Sequence, residues 1–145
     1  MKATLGQIIA RKKAHLPQGT DAFRAVDGTP WPEVFVDALA DRLLVSLRST
    51  SLPADLHNQL LHTGCCVYLK QLDNDVKLPP QHLCGPELPP RFPISENGVR
   101  YLMDMEAGYS QGIFLDQRDN RAEVRRRCAP GSTLLNTFAY TGAFS

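Results

Sequence analysis

No stretch of this 145-residue chain is apolar for long enough to cross a membrane, which takes about 18 consecutive apolar residues. An excess of one charge is also lacking: 16 lysines and arginines face 15 acidic residues, for a formal net charge of +1. No global basic field announces nucleic acid, so any such role must come from a local patch. The four cysteines, Cys65, Cys66, Cys84 and Cys128, form no C-x-x-C pair. They read as free, buried or half-buried thiols. There is no G-x-G-x-x-G run, which argues against a nicotinamide-dependent Rossmann enzyme. The N-terminus, "MKATLGQIIARKKAHLPQG", places a short apolar stretch before Arg11, Lys12 and Lys13. A secretory leader has the reverse order, so a cytoplasmic protein is expected.

Apolar residues make up 43% of the chain, enough for a packed core. The length suits one domain, or a small domain plus part of another. "FRAVDG" (23–28) reads as a strand closing in a turn, and "EVFVDAL" (33–39) as a second strand. "RLLVSLRS" (42–49) alternates, with Leu43, Val45 and Leu47 on one face and Leu44, Ser46 and Arg48 on the other. That pattern predicts a half-buried strand. "LPADLHNQLLHTG" (52–64) shifts to helical spacing, from Pro53 to Gly64. "CCVYLK" (65–70) returns to a strand.

Six of the eleven prolines fall within 76–93, which predicts a connector or an edge. Asn97-Gly98 is a hairpin signal, and after it Val99, Tyr101, Met103 and Met105 share one face. "LDQRDNRAEVRRRCAPG" (115–131) reads as a polar helix starting near Asp116 or Asp119. "STLLNTF" (132–138) reads as an apolar strand, and "AYTGAFS" (139–145) as a turn entering a helix. Three segments are expected: an N-terminal segment (1–19), a small α+β domain (20–93), and the start of an α/β unit (94–145).

Three constellations invite chemistry. His57, His62, Cys65, Cys66, His82 and Cys84 suggest zinc, but the two helical histidines fall on different faces and H-x-C is no standard knuckle. Trp31 and "VYLKQLDND" (67–75) suggest a base-stacking surface, against which core packing is the better reading. Arg118, Arg121, Arg125, Arg126 and Arg127, offset by Asp119 and Glu123, leave a local excess of three positive charges. This is either a solvated helix face or an RNA phosphate contact, for which Arg121 and Arg125 are the candidates. At the C-terminal turn, the backbone N–H groups of Thr141, Gly142 and Ala143 could meet an anion, and Gly142 allows close approach.

Two motifs carry a resemblance. "GIFLDQRDNR" (112–121), followed by "LLNTFAYTGAFS" (134–145), is similar to the S-adenosylmethionine-dependent methyltransferases that include the bacterial large-subunit ribosomal RNA cytosine-5 methyltransferases. "TDAFRAVDG" (20–28) resembles the opening of that family's small central domain. The resemblance implies a strand-rich α+β domain facing the substrate RNA, then the start of a Rossmann-like methyltransferase domain. It implies S-adenosylmethionine as cofactor, RNA as partner, and neither metal nor membrane. Asn136, Phe138, Tyr140, Thr141 and Gly142 would form the first cofactor loop, with Phe114, Asp116, Gln117 and Arg118 covering it from the preceding turn. Ser110-Gln111 stands where the family usually has Lys-Thr. The family's N-terminal RNA-binding PUA domain is not expected in the residues before Thr20. The acidic ribose ligand, the substrate motif and the catalytic cysteine are not matched, so no catalytic residue is assigned. The expectation is the N-terminal part of an RNA methyltransferase, inactive alone. The alternative is a non-catalytic RNA- or protein-interaction module.

Overall fold

The computed structural model describes residues 3–73, 75–137 and 139–145. It opens with α1 (Leu5–Lys13), which the sequence reading did not foresee. The signal was present as T-x-x-Q. The Thr4 hydroxyl accepts from the Gln7 N–H at 3.3 Å, and the Gln7 side chain accepts from the Thr4 N–H at 2.9 Å. This reciprocal box satisfies two amides that a helix start leaves unpaired. Leu5 is fully buried, and its N–H donates to the Gln59 side chain at 2.7 Å.

Five strands follow in one sheet: β1 (Ala22–Asp27), β2 (Val34–Leu39), β3 (Arg42–Leu47), β4 (Cys66–Gln71) and β5 (Gln81–Cys84). They lie in sequence order. The β3–β4 pair is parallel and the others are antiparallel. A parallel step needs a crossover, and α2 (Ala54–Leu61) supplies it. The proline-rich stretch gives β5, an edge strand free of proline, and the start of β6, which carries Pro93 in the two-stranded hairpin.

Every residue of β3 is buried, which corrects the expected half-buried strand. Val34, Val36, Val45 and Val67 meet Leu5, Leu56 and Leu60 of the two helices on one face. Trp31 joins that core and donates from its indole N–H to Asp55 at 2.7 Å. On the other face Leu39, Leu44, Cys66 and Tyr68 meet Phe92, Ile94, Met103 and Met105. The covering layer is a hairpin, β6 (Arg91–Glu96) and β7 (Val99–Asp104). Asn97 and Gly98 turn it with φ of +50° and +79°, the backbone of a two-residue hairpin loop. Of the face expected to run from Val99, only the far end, Met103 and Met105, is fully in the core. Because β6 opens at Arg91, the expected division at 93/94 falls inside a strand. The Asp21 N–H donates to the Ser95 carbonyl at 3.0 Å, and the Ser95 N–H to the Asp21 carboxylate at 2.7 Å, joining β1's entry to the hairpin.

A 3-10 turn (Leu115–Gln117) leads into α3 (Arg118–Arg127). The helix starts as expected and ends earlier, at an extended Cys128. The strand expected over 132–138 is absent from its described residues, and Leu135 is 84% exposed. A strand exists by its ladder, and no described strand lies beside this one. Residues 139–145 form turns rather than a helix start, with the Ser145 N–H donating to the Gly142 carbonyl at 2.8 Å. No described helix is long and apolar enough to cross a membrane.

Candidate functional site

Arg121 organises the region where the two motifs meet. Its side chain is 5% exposed and that of Glu96 on β6 is 2% exposed. Two N–H groups of the guanidinium donate to the two Glu96 oxygens, each at 2.7 Å, and one also donates to the Phe114 carbonyl at 2.8 Å. Hydrogen bonding to Glu96 raises the Arg121 guanidinium above its ordinary pKa. The guanidinium also lies 5.7 Å from the centre of the Phe144 ring. It thereby ties the hairpin, the turn before α3 and the terminal loop together. This corrects the expectation of a phosphate contact: a buried fork already bonded to a carboxylate is not offered to RNA. The sequence hid this, because Glu96 is 25 residues away. Arg125 remains exposed and donates to the Asn97 carbonyl at 3.3 Å.

Arg121 holds Phe114 by its carbonyl, and the ring projects outward. Phe114 and Tyr140 are each 56% exposed, with ring centres 5.4 Å apart and planes tilted by 42°. The Thr141 hydroxyl donates to the Gly112 carbonyl at 3.2 Å. Three of the expected residues, Phe114, Tyr140 and Thr141, are thus brought together from both motifs.

Of the others, Asp116 and Arg118 line a separate cavity, together with Gln7, Ile8 and Arg11 of α1. Asp116 is exposed and accepts from the Gln117 side chain at 3.1 Å. Gln117 accepts from Asn120 at 2.7 Å. Arg118 is 26% exposed and donates to Asp119 at 3.2 Å. Asn136 donates to the Ser145 hydroxyl at 3.1 Å. Gly142 has φ +73°, with no atom within 4 Å of where a Cβ would stand. Its N–H, expected to face an anion, donates instead to the Ala139 carbonyl at 2.7 Å, because the segment is a turn. Phe138, the remaining expected residue, lies outside the described residues.

Behind this pair a cavity of about 310 Å³ runs onto the sheet face that the hairpin leaves open. Its lining includes Arg24, Phe35, Asp37, Ser46, Arg48 and Lys70, of which only Lys70 falls in a stretch (67–75) that the sequence raised as a base-stacking surface. A signal existed: Asp37 and Lys70 interrupt otherwise apolar strands at buried positions. Asp37 pairs with Arg24, and Lys70 donates to the Tyr109 carbonyl and, at 3.3 Å, to the Gln111 side chain. Burial pushes the Asp37 carboxyl above the ordinary carboxylate value, against the pull of Arg24. Burial also holds the Lys70 ammonium below the usual lysine value, against the pull of Asp37. Gln111, also buried, donates to the Gly108 and Tyr109 carbonyls at 2.7 and 2.8 Å. None of the four cysteines lines the cavity, and no described cluster of His, Cys, Asp and Glu could hold a metal.

No family model matches the chain. Ribosomal RNA large subunit methyltransferase I of Erwinia tasmaniensis is 30% identical over 144 residues, which is 90% of this chain and 36% of that protein. A candidate SAM-dependent methyltransferase from Streptococcus mutans matches in structure, with a TM-score of 0.77 and 29% identity over 99% of this chain and 42% of that one. A candidate methyltransferase complexed with SAH matches with the same TM-score and identity, over 99% of this chain and 41% of that one. Over nearly its whole length the chain is therefore similar to S-adenosylmethionine-dependent methyltransferases, and it spans well under half the length of each.

Proposed function

We propose that this chain is a segment of an S-adenosylmethionine-dependent RNA methyltransferase and forms one side of its cofactor site. The carrying observation is the junction of the two motifs, Phe114 against Tyr140 and Thr141 against Gly112. The local chemistry fits the cofactor. Open space at Gly142 leaves room for it, and two half-exposed aromatic faces suit a cation. Arg118 offers donors for a carboxylate, and Asp116 an acceptor for an ammonium. When bound, the cofactor supplies a methyl group on a sulfonium.

The chain's part is to bind and orient. Phe114, Asp116, Gln117 and Arg118 act from the turn before α3. Asn136, Tyr140, Thr141 and Gly142 act from the terminal loop, with Phe138 assigned there from its motif alone. The five-stranded sheet forms the RNA-facing side, and the stretch from the β6–β7 hairpin to residue 145 opens the methyltransferase side, the two sharing a core. Arg125 remains the phosphate contact on α3. Similarity to ribosomal RNA methyltransferases favours an RNA substrate, and the motif resemblance favours cytosine C5. That reaction needs a thiolate nucleophile, for which no cysteine of this chain is placed. The segment alone is therefore expected to bind the cofactor weakly and transfer nothing.

Titration with S-adenosylhomocysteine, followed by amide NMR, tests this. Shifts confined to 112–118 and 136–145 are expected at millimolar ligand. A folded chain with no shifts there would overturn the reading. Submicromolar affinity would overturn the claim that this is only one side of the pocket.

A further inference from the structure

We propose that the cavity on the open half of the sheet is a slot for one unstacked base of single-stranded RNA. The choice of RNA rests on the methyltransferase reading above; the slot rests on its own geometry. Phe35 forms one wall, with the guanidinium groups of Arg24 and Arg48 at 5.3 and 5.2 Å from its ring centre. Tyr109 also lines the cavity, with the ammonium groups of Lys70 and Lys77 at 3.8 and 5.5 Å from its ring. Each aromatic ring is thus flanked by two cations. Rings give a base its stacking partner; Arg24 is committed to Asp37 and Lys70 to Tyr109 and Gln111, so Arg48 and Lys77 are the cations that would answer the phosphates on either side of it, the pairing that single-strand binders use.

The remaining lining gives a polar edge. Ser46 on β3 lies beside Lys70 on β4 and Phe35 on β2, with Asp37 diagonal to it opposite Leu44, and all four line the cavity. Ser46 is buried. Asp37 is an acceptor for an exocyclic amine, and Lys70 and Ser46 are donors for a ring carbonyl. The lining holds three cations and one carboxylate, an excess of two positive charges. The carboxylate tells against an acidic peptide, whose side chains it would repel, and not against a base with an amino group. A volume of about 310 Å³ lies at the small end of ligand pockets, which suits one base. Phe114 and Tyr140 are part of the same lining, so the slot shares a wall with the proposed cofactor side.

The test titrates fluorescein-labelled single-stranded RNA of mixed sequence into the 145-residue chain and its variants at several salt concentrations. Phe35→Ala should weaken binding roughly fivefold or more with the salt slope unchanged, as lost stacking requires. Arg48→Ala, at an exposed position, should lower the slope of log affinity against log salt by about 1. In the unsubstituted chain, 4-thiouridine should photo-crosslink to peptides containing Phe35 or Tyr109, a readout independent of how the variants fold. Parent-like binding by folded Phe35→Ala, crosslinks elsewhere, or displacement of the RNA by poly-glutamate at equal concentration would each overturn the slot. S-Adenosylhomocysteine shifts on the same preparations separate the two ideas. If those shifts are absent while Phe35-dependent RNA binding persists, the slot stands and the methyltransferase reading falls. If the shifts are present without Phe35 dependence, the slot falls and that reading stands.

Discussion

Arg121 shows how much can hang on one side chain in a charged helix. Four neighbouring arginines, Arg118, Arg125, Arg126 and Arg127, are partly or fully exposed. Arg126 and Arg127 pair with Glu123, which they hold below its ordinary pKa. Arg121 alone turns inward to Glu96. Exposed pairs of the Glu123 kind contribute little to stability. A buried pair is different: its net contribution is modest, but removing one partner strands a charge in the interior. Arg121→Met is therefore expected to lower the unfolding free energy by about 3–5 kcal/mol, and Glu96→Leu in the same chain to restore much of it. Urea denaturation of the single and double variants checks this. A single variant within about 1 kcal/mol of the parent would show that the pair does not anchor the turn carrying Phe114.

At the level of elements, the ends of β4 and β5 depend on a close backbone approach. Gly85 has φ +82°, and a Cβ there would stand 1.8 Å from the Cys65 carbonyl oxygen. Gly64, at φ +69°, has nothing within 4 Å of the same position. The two glycines separate conformation from space. Gly64→Ala carries only the left-handed penalty, about 1–2 kcal/mol. Gly85→Ala adds a clash with backbone that no rotamer change can relieve, so its loss of stability should be clearly larger. Thermal melts of the two variants decide, and equal losses would mean that the β5 edge moves aside without cost. The hairpin follows similar logic. Asn97 and Gly98 both sit at positive φ, which is why that dipeptide was readable at a distance from the rest of the fold.

Across the whole molecule, the central sheet has a helix layer on one face and the β6–β7 hairpin on part of the other. Ile94, Met103 and Met105 share a core with Leu39, Leu44 and Cys66. Unfolding is therefore expected as one transition, with Trp31 fluorescence, which reports the helix-side core, coinciding with far-ultraviolet circular dichroism. Two separated transitions would restore a boundary between independent units near 93. The strands β1 to β4, α2, the hairpin turn and the start of α3 were legible from periodicity, proline and Asn-Gly. These signals are local, arising from φ/ψ preference and from which side chains share a face. The two adjoining motifs also pointed to Phe114, Tyr140 and Thr141. Burial of the second face of β3, the inward turn of Arg121 and the cavity around Phe35, Asp37 and Lys70 could not be read that way. Each depends on residues far apart in the chain, and an alternating pattern does not reveal whether a strand's polar face meets solvent or a second layer. The segment 132–137 makes the same point in reverse: apolar composition predicts a strand, but a strand forms only where a neighbour completes its hydrogen bonds.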